Sequence, residues 1–299
     1  DGSGIICVDT AALSAKVQTL KPDSVVEFKS DGKSVTITQG RTKWVAPVMI
    51  DDFPIQVAKP LEAEATVISG AYMAAIAEVA GVIDPGHAMQ AITGVRLQDC
   101  RVIATDGKRA RVVTFAEPIP VSVILPGRVA PKLAAMFPEG GMLRATETMM
   151  SIETDTLMVN SRLVDGHYPD IDRVIGGFKS KLVNTIGCGT DELVAAMKRA
   201  GAIAASGEKA TSFLNMQLRF REGEIEIITR NLSGEEGETA VSANMNGAEA
   251  DIGFNGYQLI EDISSMDSET IGIAYADGET PVIITAGNSM RFVQARVFR

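Results

Sequence analysis

Histidine, cysteine and tryptophan are scarce in this chain, at two, three and one of 299 residues. Two histidines, His87 and His167, leave little material for a metal site or a Ser/His/Asp triad. Cys7, Cys100 and Cys188 form no CxxC pair and lie far apart, which excludes a disulfide framework or zinc knuckle. They read as buried free thiols of a reducing compartment, and no metal or cofactor is expected. Apolar runs end well before the ~18 residues that a membrane helix needs. The start, DGSGIICVDT, lacks a basic stretch ahead of an apolar one, so the chain reads as soluble and cytoplasmic, with no membrane partner. Positive charge is also in deficit: 28 Lys and Arg against 38 Asp and Glu give a net charge of -10. A protein that coats nucleic acid with its whole surface needs the opposite field. A local basic face remains open.

What the chain has in plenty is repetition. Three segments share one plan, an amphipathic helix, a Pro/Gly/Asp break and three or four strands: Leu13 to Pro54, Leu133 to Pro169, and Leu259 to Phe298. In "DSVVEFKSDGKSVTITQG" and "SETIGIAYADGETPVIITAG", apolar residues alternate on both sides of an Asp-Gly pair, a hairpin pattern. A complementary strand-then-helix half begins near Ala65 and again near Val183. Equivalent starts are separated by about 120 residues, a domain-sized period. The class is therefore α+β, with residues 1–62 as the back half of one module, 63–180 as a complete second and 181–299 as a complete third. A half-module cannot cover its own sheet, so the matching first half is expected upstream or from another source. On the predicted helix after Asp191, Leu193, Val194, Met197 and Ile203 share one side while Lys198 and Arg199 lie off it. Leu133, Ala134 and Met136 form a similar apolar side near Arg128 and Lys132.

Two stretches invite chemical readings. "VIATDGKRARVV", Val102 to Val113, has one glycine where a phosphate loop needs more, and no helix pattern follows; Asp106-Gly107 is read as a hairpin turn. "SRLVDGHYPDIDRV", Ser161 to Val174, collects Asp165, His167 and Asp170, a set that a hydrolase or transferase could use. Its Asp-Gly and Pro-Asp pairs are also turn vocabulary at a module boundary, and a linker is the favoured reading.

Taken together, "ATDGKR", "SRLVDGHYPDIDRVI" and "NGAEADIGFNGYQLIEDI", in this order and spacing, resemble the bacterial sliding clamps, the beta subunits of DNA polymerase III. The resemblance implies three similar domains per subunit, here with the first incomplete. It also implies a homodimeric ring with sheets outside and helices lining the hole. The implied function is non-enzymatic: a processivity factor that encircles duplex DNA and tethers the replicative polymerase, with a clamp loader as a further partner. A variant that no longer loads on DNA, or the hydrolase, are the alternatives. By the same resemblance Ile92, Thr105, Gly107, Lys108, Ala110, Val293 and Ala295 border a pocket for partner peptides, with Arg109 and Arg111 on its rim. Arg128, Lys132, Lys198 and Arg199 face DNA, and Trp44 and Ile203 meet across the dimer interface. The chain departs from the family in ending "FVQARVFR" and in carrying Gly176-Gly177 where a proline is usual.

Overall fold

A computed structural model describes residues 6–49, 61–119, 121–204, 214–231, 234–296 and 298, the side chains of 203 and 204 excepted. It divides into two compact units, Asp1–Lys59 and Pro60–Arg299.

In the first unit, helix α1 (Thr10–Val17) precedes an antiparallel sheet of β1 (Glu27–Ser30), β2 (Ser34–Gln39) and β3 (Thr42–Pro47). Asp9 caps α1 by accepting from the Ala12 amide at 2.7 Å. Asp31 makes the expected turn, its Oδ1 accepting from the amides of Ser34 at 2.6 Å and Lys33 at 2.9 Å. Those bonds, the one from Ser34 foremost, hold the Asp31 carboxyl below the usual carboxylate range. Val35, Ile37 and Ala46 form a small core on which Trp44, Leu13, Val26 and Val48 pack.

The second unit runs one sequence of elements twice. The first pass is β4 (Ala65–Ser69), α2 (Gly70–Ala80), β5 (Gly94–Gln98), β6 (Arg101–Thr105), β7 (Arg109–Thr114) and β8 (Val123–Pro126). It ends with α3 (Ala130–Met136), β9 (Gly140–Ala145), β10 (Met149–Glu153) and β11 (Met158–Arg162). Helix α4 (Ile171–Lys179) connects it to the second pass: β12 (Asn184–Gly189), α5 (Thr190–Ala204), β13 (Asn215–Arg221), β14 (Glu224–Arg230), β15 (Glu236–Asn246) and β16 (Ala250–Asn255). Helix α6 (Gly256–Ser264), β17 (Thr270–Tyr275), β18 (Val282–Ala286) and β19 (Ser289–Val293) complete it. The helix and three strands of the first unit follow the order of the last four elements of either pass.

Strand β13 alternates buried and half-buried residues, and in each pass two helices cover the inner face: α2 packs on α3 and α5 on α6. One sheet has the order β11-β10-β9-β4. The other has twelve strands, β16-β13-β14-β15-β12-β17-β18-β19-β7-β6-β5-β8, so that β19 of the second pass pairs directly with β7 of the first. The two passes thus share a sheet as well as a linker. Each has its own apolar core, and a third cluster lies on the outer face over β6, β7 and β19, beneath α4.

Two expectations change. Met136 is exposed rather than on the apolar side of its helix, because α3 spans only seven residues and its buried stripe is Ala130, Leu133 and Ala134. The boundary stretch is not wholly loop: Asp170 accepts from the Arg173 amide at 3.0 Å and starts α4.

Candidate partner groove and basic helix face

The turn between β6 and β7 is fixed by its own polar groups. Asp106 Oδ1 accepts from the amides of Lys108 and Arg109, both at 2.9 Å. The Thr105 hydroxyl donates to the Arg109 carbonyl at 2.7 Å and accepts from the Gly107 amide at 3.0 Å. Gly107 has φ +83°, the left-handed region that glycine enters without strain. A Cβ placed there would stand 3.7 Å from Ile92 Cδ1 and from His87 Nε2, so the turn lies against the Gln90–Thr93 segment. Lys108 projects at an exposed corner, above buried Ile92, Thr105 and Ala110.

Strand alternation sorts the other residues. In the β7–β19 pairing, Ala110 stands opposite Phe292, and Arg109 opposite Val293. Successive side chains point to opposite faces. Ala110 and Phe292 therefore share the outer cluster with Ala91, Ile92, Ile103, Val112, Tyr168 and Ile171. Val293, with Ala295 packed beside it, belongs to the core of the second pass. The structure brings five of the seven expected groove residues to one corner and places Val293 and Ala295 elsewhere. Phe292 was missed; its place opposite Ala110 depends on a register between distant strands that neither segment displays alone.

The same alternation corrects the expected role of Arg109 and Arg111. They do not rim the groove, because they point through the sheet toward α2 and α6, at 8% and 2% exposure. Arg111 Nε donates to Asp262 Oδ1 at 2.7 Å, and Arg109 Nη1 donates to the same oxygen at 3.1 Å. In return Arg291 of β19 pairs with Glu78 of α2, whose Oε1 also accepts from the Ser289 hydroxyl at 2.8 Å. Each pass thus sends an arginine to a carboxylate on a helix of the other. Burial depresses the Arg109 guanidinium, but Asp262, Asp106 and Glu261 more than offset it and leave its pKa above the usual arginine value. For Arg291, burial wins and the shift is downward. Gly81, at the end of α2, makes room for this: a Cβ there would be 2.7 Å from Arg111 Nη1.

On the other side of the sheets, Arg128 just ahead of α3, Lys132 on α3, and Lys198 and Arg199 on α5 are all exposed. None of the four makes an ion pair among the described residues. Trp44 is half-buried against the small core of the first unit, and the Ile203 side chain lies outside the described residues.

A family model for the C-terminal domain of the DNA polymerase III beta subunit matches residues 180–297. The beta sliding clamp of Pseudomonas putida is 24% identical over 298 residues, covering 95% of this chain and 79% of the relative. Over most of its length the chain is similar to bacterial beta sliding clamps, and the family model covers residues 180–297 of it. The Escherichia coli K12 clamp is 28% identical over 193 residues, 62% of this chain and 50% of its own length. The fold is that of solved clamps: a DnaN sliding clamp from Bartonella birtlesii, bound to griselimycin, superposes with a TM-score of 0.84 at 19% identity, covering 99% of this chain and 83% of its own.

The Asp165, His167 and Asp170 set is not gathered into one site. Asp170 is occupied as the cap of α4, and neighbouring Asp172 pairs with Arg101 at 2.7 Å. That contact holds the Asp172 carboxyl below its usual range. Asp165 and His167 are exposed on the approach to α4. Among the described residues no three His, Cys, Asp or Glu side chains gather as a metal site, and no helix is long and apolar enough to cross a membrane.

Proposed function

We propose that the chain acts as a ring-forming homodimer that encircles duplex DNA in the cytoplasm, is placed there by a clamp loader, and tethers the replicative polymerase. The observation that carries this is the free basic face. Lys132, Lys198 and Arg199 stand exposed on helices that cover the inner sheet faces, with Arg128 just ahead of one of them, in a chain whose net charge is -10. Enclosure keeps DNA without tight contacts, so a few unpaired cations facing the phosphates suffice while an acidic exterior repels other strands.

Ring closure has support in the strand edges. Among the described residues, β15 from Glu236 to Ser242 pairs only with β14, whereas the corresponding strand of the first pass, β7, has β19 along its second edge. Among the described residues β3 likewise pairs only with β2. Head-to-tail pairing of β3 from one copy with β15 of the next repeats the β19–β7 joint and generates a ring when the rotation closes. We propose the boundaries 1–62, 63–180 and 181–299 for the modules so joined. Partner peptides enter at Ile92, Thr105, Gly107, Lys108 and Ala110.

The test is retention on nicked circular DNA. After loading, the protein is expected to stay bound until the circle is linearised, and to lengthen products on primed circles. Replacing Arg128, Lys132, Lys198 and Arg199 together by Glu is expected to cut retention at least about tenfold at ~0.1 M salt, where surface charges are felt only within about 10 Å. Equal release from circles and linear DNA sinks the ring reading. Peptide binding without retention identifies a clamp-like variant that does not load.

A further inference from the structure

Helix α4 is unevenly held. Its first turns are fixed by the Asp170 cap, the Arg101–Asp172 pair and the buried side chains of Ile171 and Ile175. The last turn contains Gly176 and Gly177, both exposed and in open space, where an added Cβ would meet nothing within 4 Å. Glycine is the poorest helix former after proline, so two in succession leave that turn with little intrinsic stability. What holds it is Phe178, which packs partly buried against the outer cluster, its ring 5.9 Å from that of Phe292 and tilted by 45°. Phe292 in turn stands opposite Ala110, beside Ile92.

We propose that Phe178 is an internal occupant of the partner groove, and that the Gly176-Gly177 turn releases it so that an aromatic side chain of an incoming peptide takes its place. The inference rests on the reading of Ile92, Gly107, Lys108 and Ala110 as the peptide groove. An aromatic on Phe292 is already the complement this apolar corner accepts, and offset or tilted ring pairs at such distances are favourable. Lys108 on the exposed corner suits a carboxylate next to that aromatic. The partner is therefore a short peptide with an aromatic side chain and a carboxylate beside it. Its apparent affinity is reduced by the fraction of molecules in which Phe178 holds the site. The open surroundings of both glycines make helix strengthening a clean probe, since alanine adds stability without a clash.

A fluorescein-labelled hexapeptide ending in Leu-Phe, titrated by anisotropy into the intact protein, tests this. Phe178→Ala is expected to tighten binding several-fold. The double change Gly176→Ala, Gly177→Ala is expected to weaken it roughly twentyfold, the factor that two such exchanges in an exposed helix supply. Gly107→Trp fills the groove and is expected to remove binding, with the melting curve checked because of the positive φ at that position. Opposite or null responses of the Phe178 and double-glycine variants, in a protein that binds the peptide and loses it with Gly107→Trp, overturn the occupant. Binding indifferent to Gly107→Trp, or absent from wild type and Phe178→Ala alike, overturns the groove reading and the occupant with it.

Discussion

Asp262→Ala is expected to destabilise the second unit by about 3–5 kcal/mol, the cost of leaving buried charge without its partner. Asp262 is 1% exposed and Arg111 2%, with Arg291 fully buried beside them. Asp262 Oδ1 is the acceptor for both Arg111 and Arg109, so one truncation takes the buried carboxylate from two guanidinium groups in the joint between the passes and leaves Arg111 only the half-exposed Glu261 as a counter-charge. In the β19–β7 register, Arg111 and Arg291 are directly opposite, a like-charge pairing that would repel were it not for Asp262 and Glu78. Burial also means that salt cannot take over the missing role, because such pairs are poorly screened. The expected signature is a lower urea midpoint followed by far-UV circular dichroism. Fluorescence is the wrong probe, since the single tryptophan, Trp44, is in the first unit. Replacing the pair by apolar side chains, Arg111→Met with Asp262→Leu, is expected to cost less than Asp262→Ala alone, because no charge then faces Asp262's vacated place from β7's centre. A loss under about 1 kcal/mol for Asp262→Ala would show that water reaches the joint and that the network is incidental.

The sequence exposed some of this and concealed the rest for identifiable reasons. Hairpins were legible because alternation and Asp-Gly turns are local signals: Gly32 and Gly107 take φ +82° and +83° as those turns require. The duplicated order of elements was legible for the same reason, since each strand and helix has its own period. Helix α4 was hidden because its start, Pro169-Asp170, is written in turn residues and its end in two glycines; the cap bond from Arg173 and the burial of Ile171 and Ile175 decide in favour of the helix. Arg109 and Arg111 were misassigned because a charged residue in a strand looks solvent-facing until its counter-charge is known. Their counter-charges across the joint, Glu261 and Asp262, are on a helix distant in sequence. Alternation alone would have put Ala110 and Arg109 on opposite faces, which is half of the correction. The other half, the pairing of β19 with β7, is tertiary.

Trp44→Ala is expected to raise the dissociation constant of the dimer by on the order of 30- to 1000-fold, the range for an aromatic hot spot worth about 2–4 kcal/mol. The argument comes from the internal repeat. The first paired residues after the β2–β3 turn are Gln39 and Thr42, and after the β18–β19 turn they are Ala286 and Ser289. Trp44 therefore occupies in β3 the place of Arg291 in β19, the residue at the centre of the joint between the passes. If copies join as the two passes do, Trp44 lies at the centre of that contact, half-covered by its own small core and with surface left to bury. An aromatic suits the place, since it offers large contact area at little entropic cost. Sedimentation velocity at micromolar protein is expected to show the Trp44→Ala variant moving toward monomer while Trp44→Phe stays dimeric. Because Trp44 also packs on Val35, Ile37 and Ala46, circular dichroism of both variants separates loss of the interface from loss of the first unit's core. A folded Trp44→Ala protein that sediments as wild type would remove Trp44 from the interface, and with it the inference that the β3 edge repeats the β19 joint.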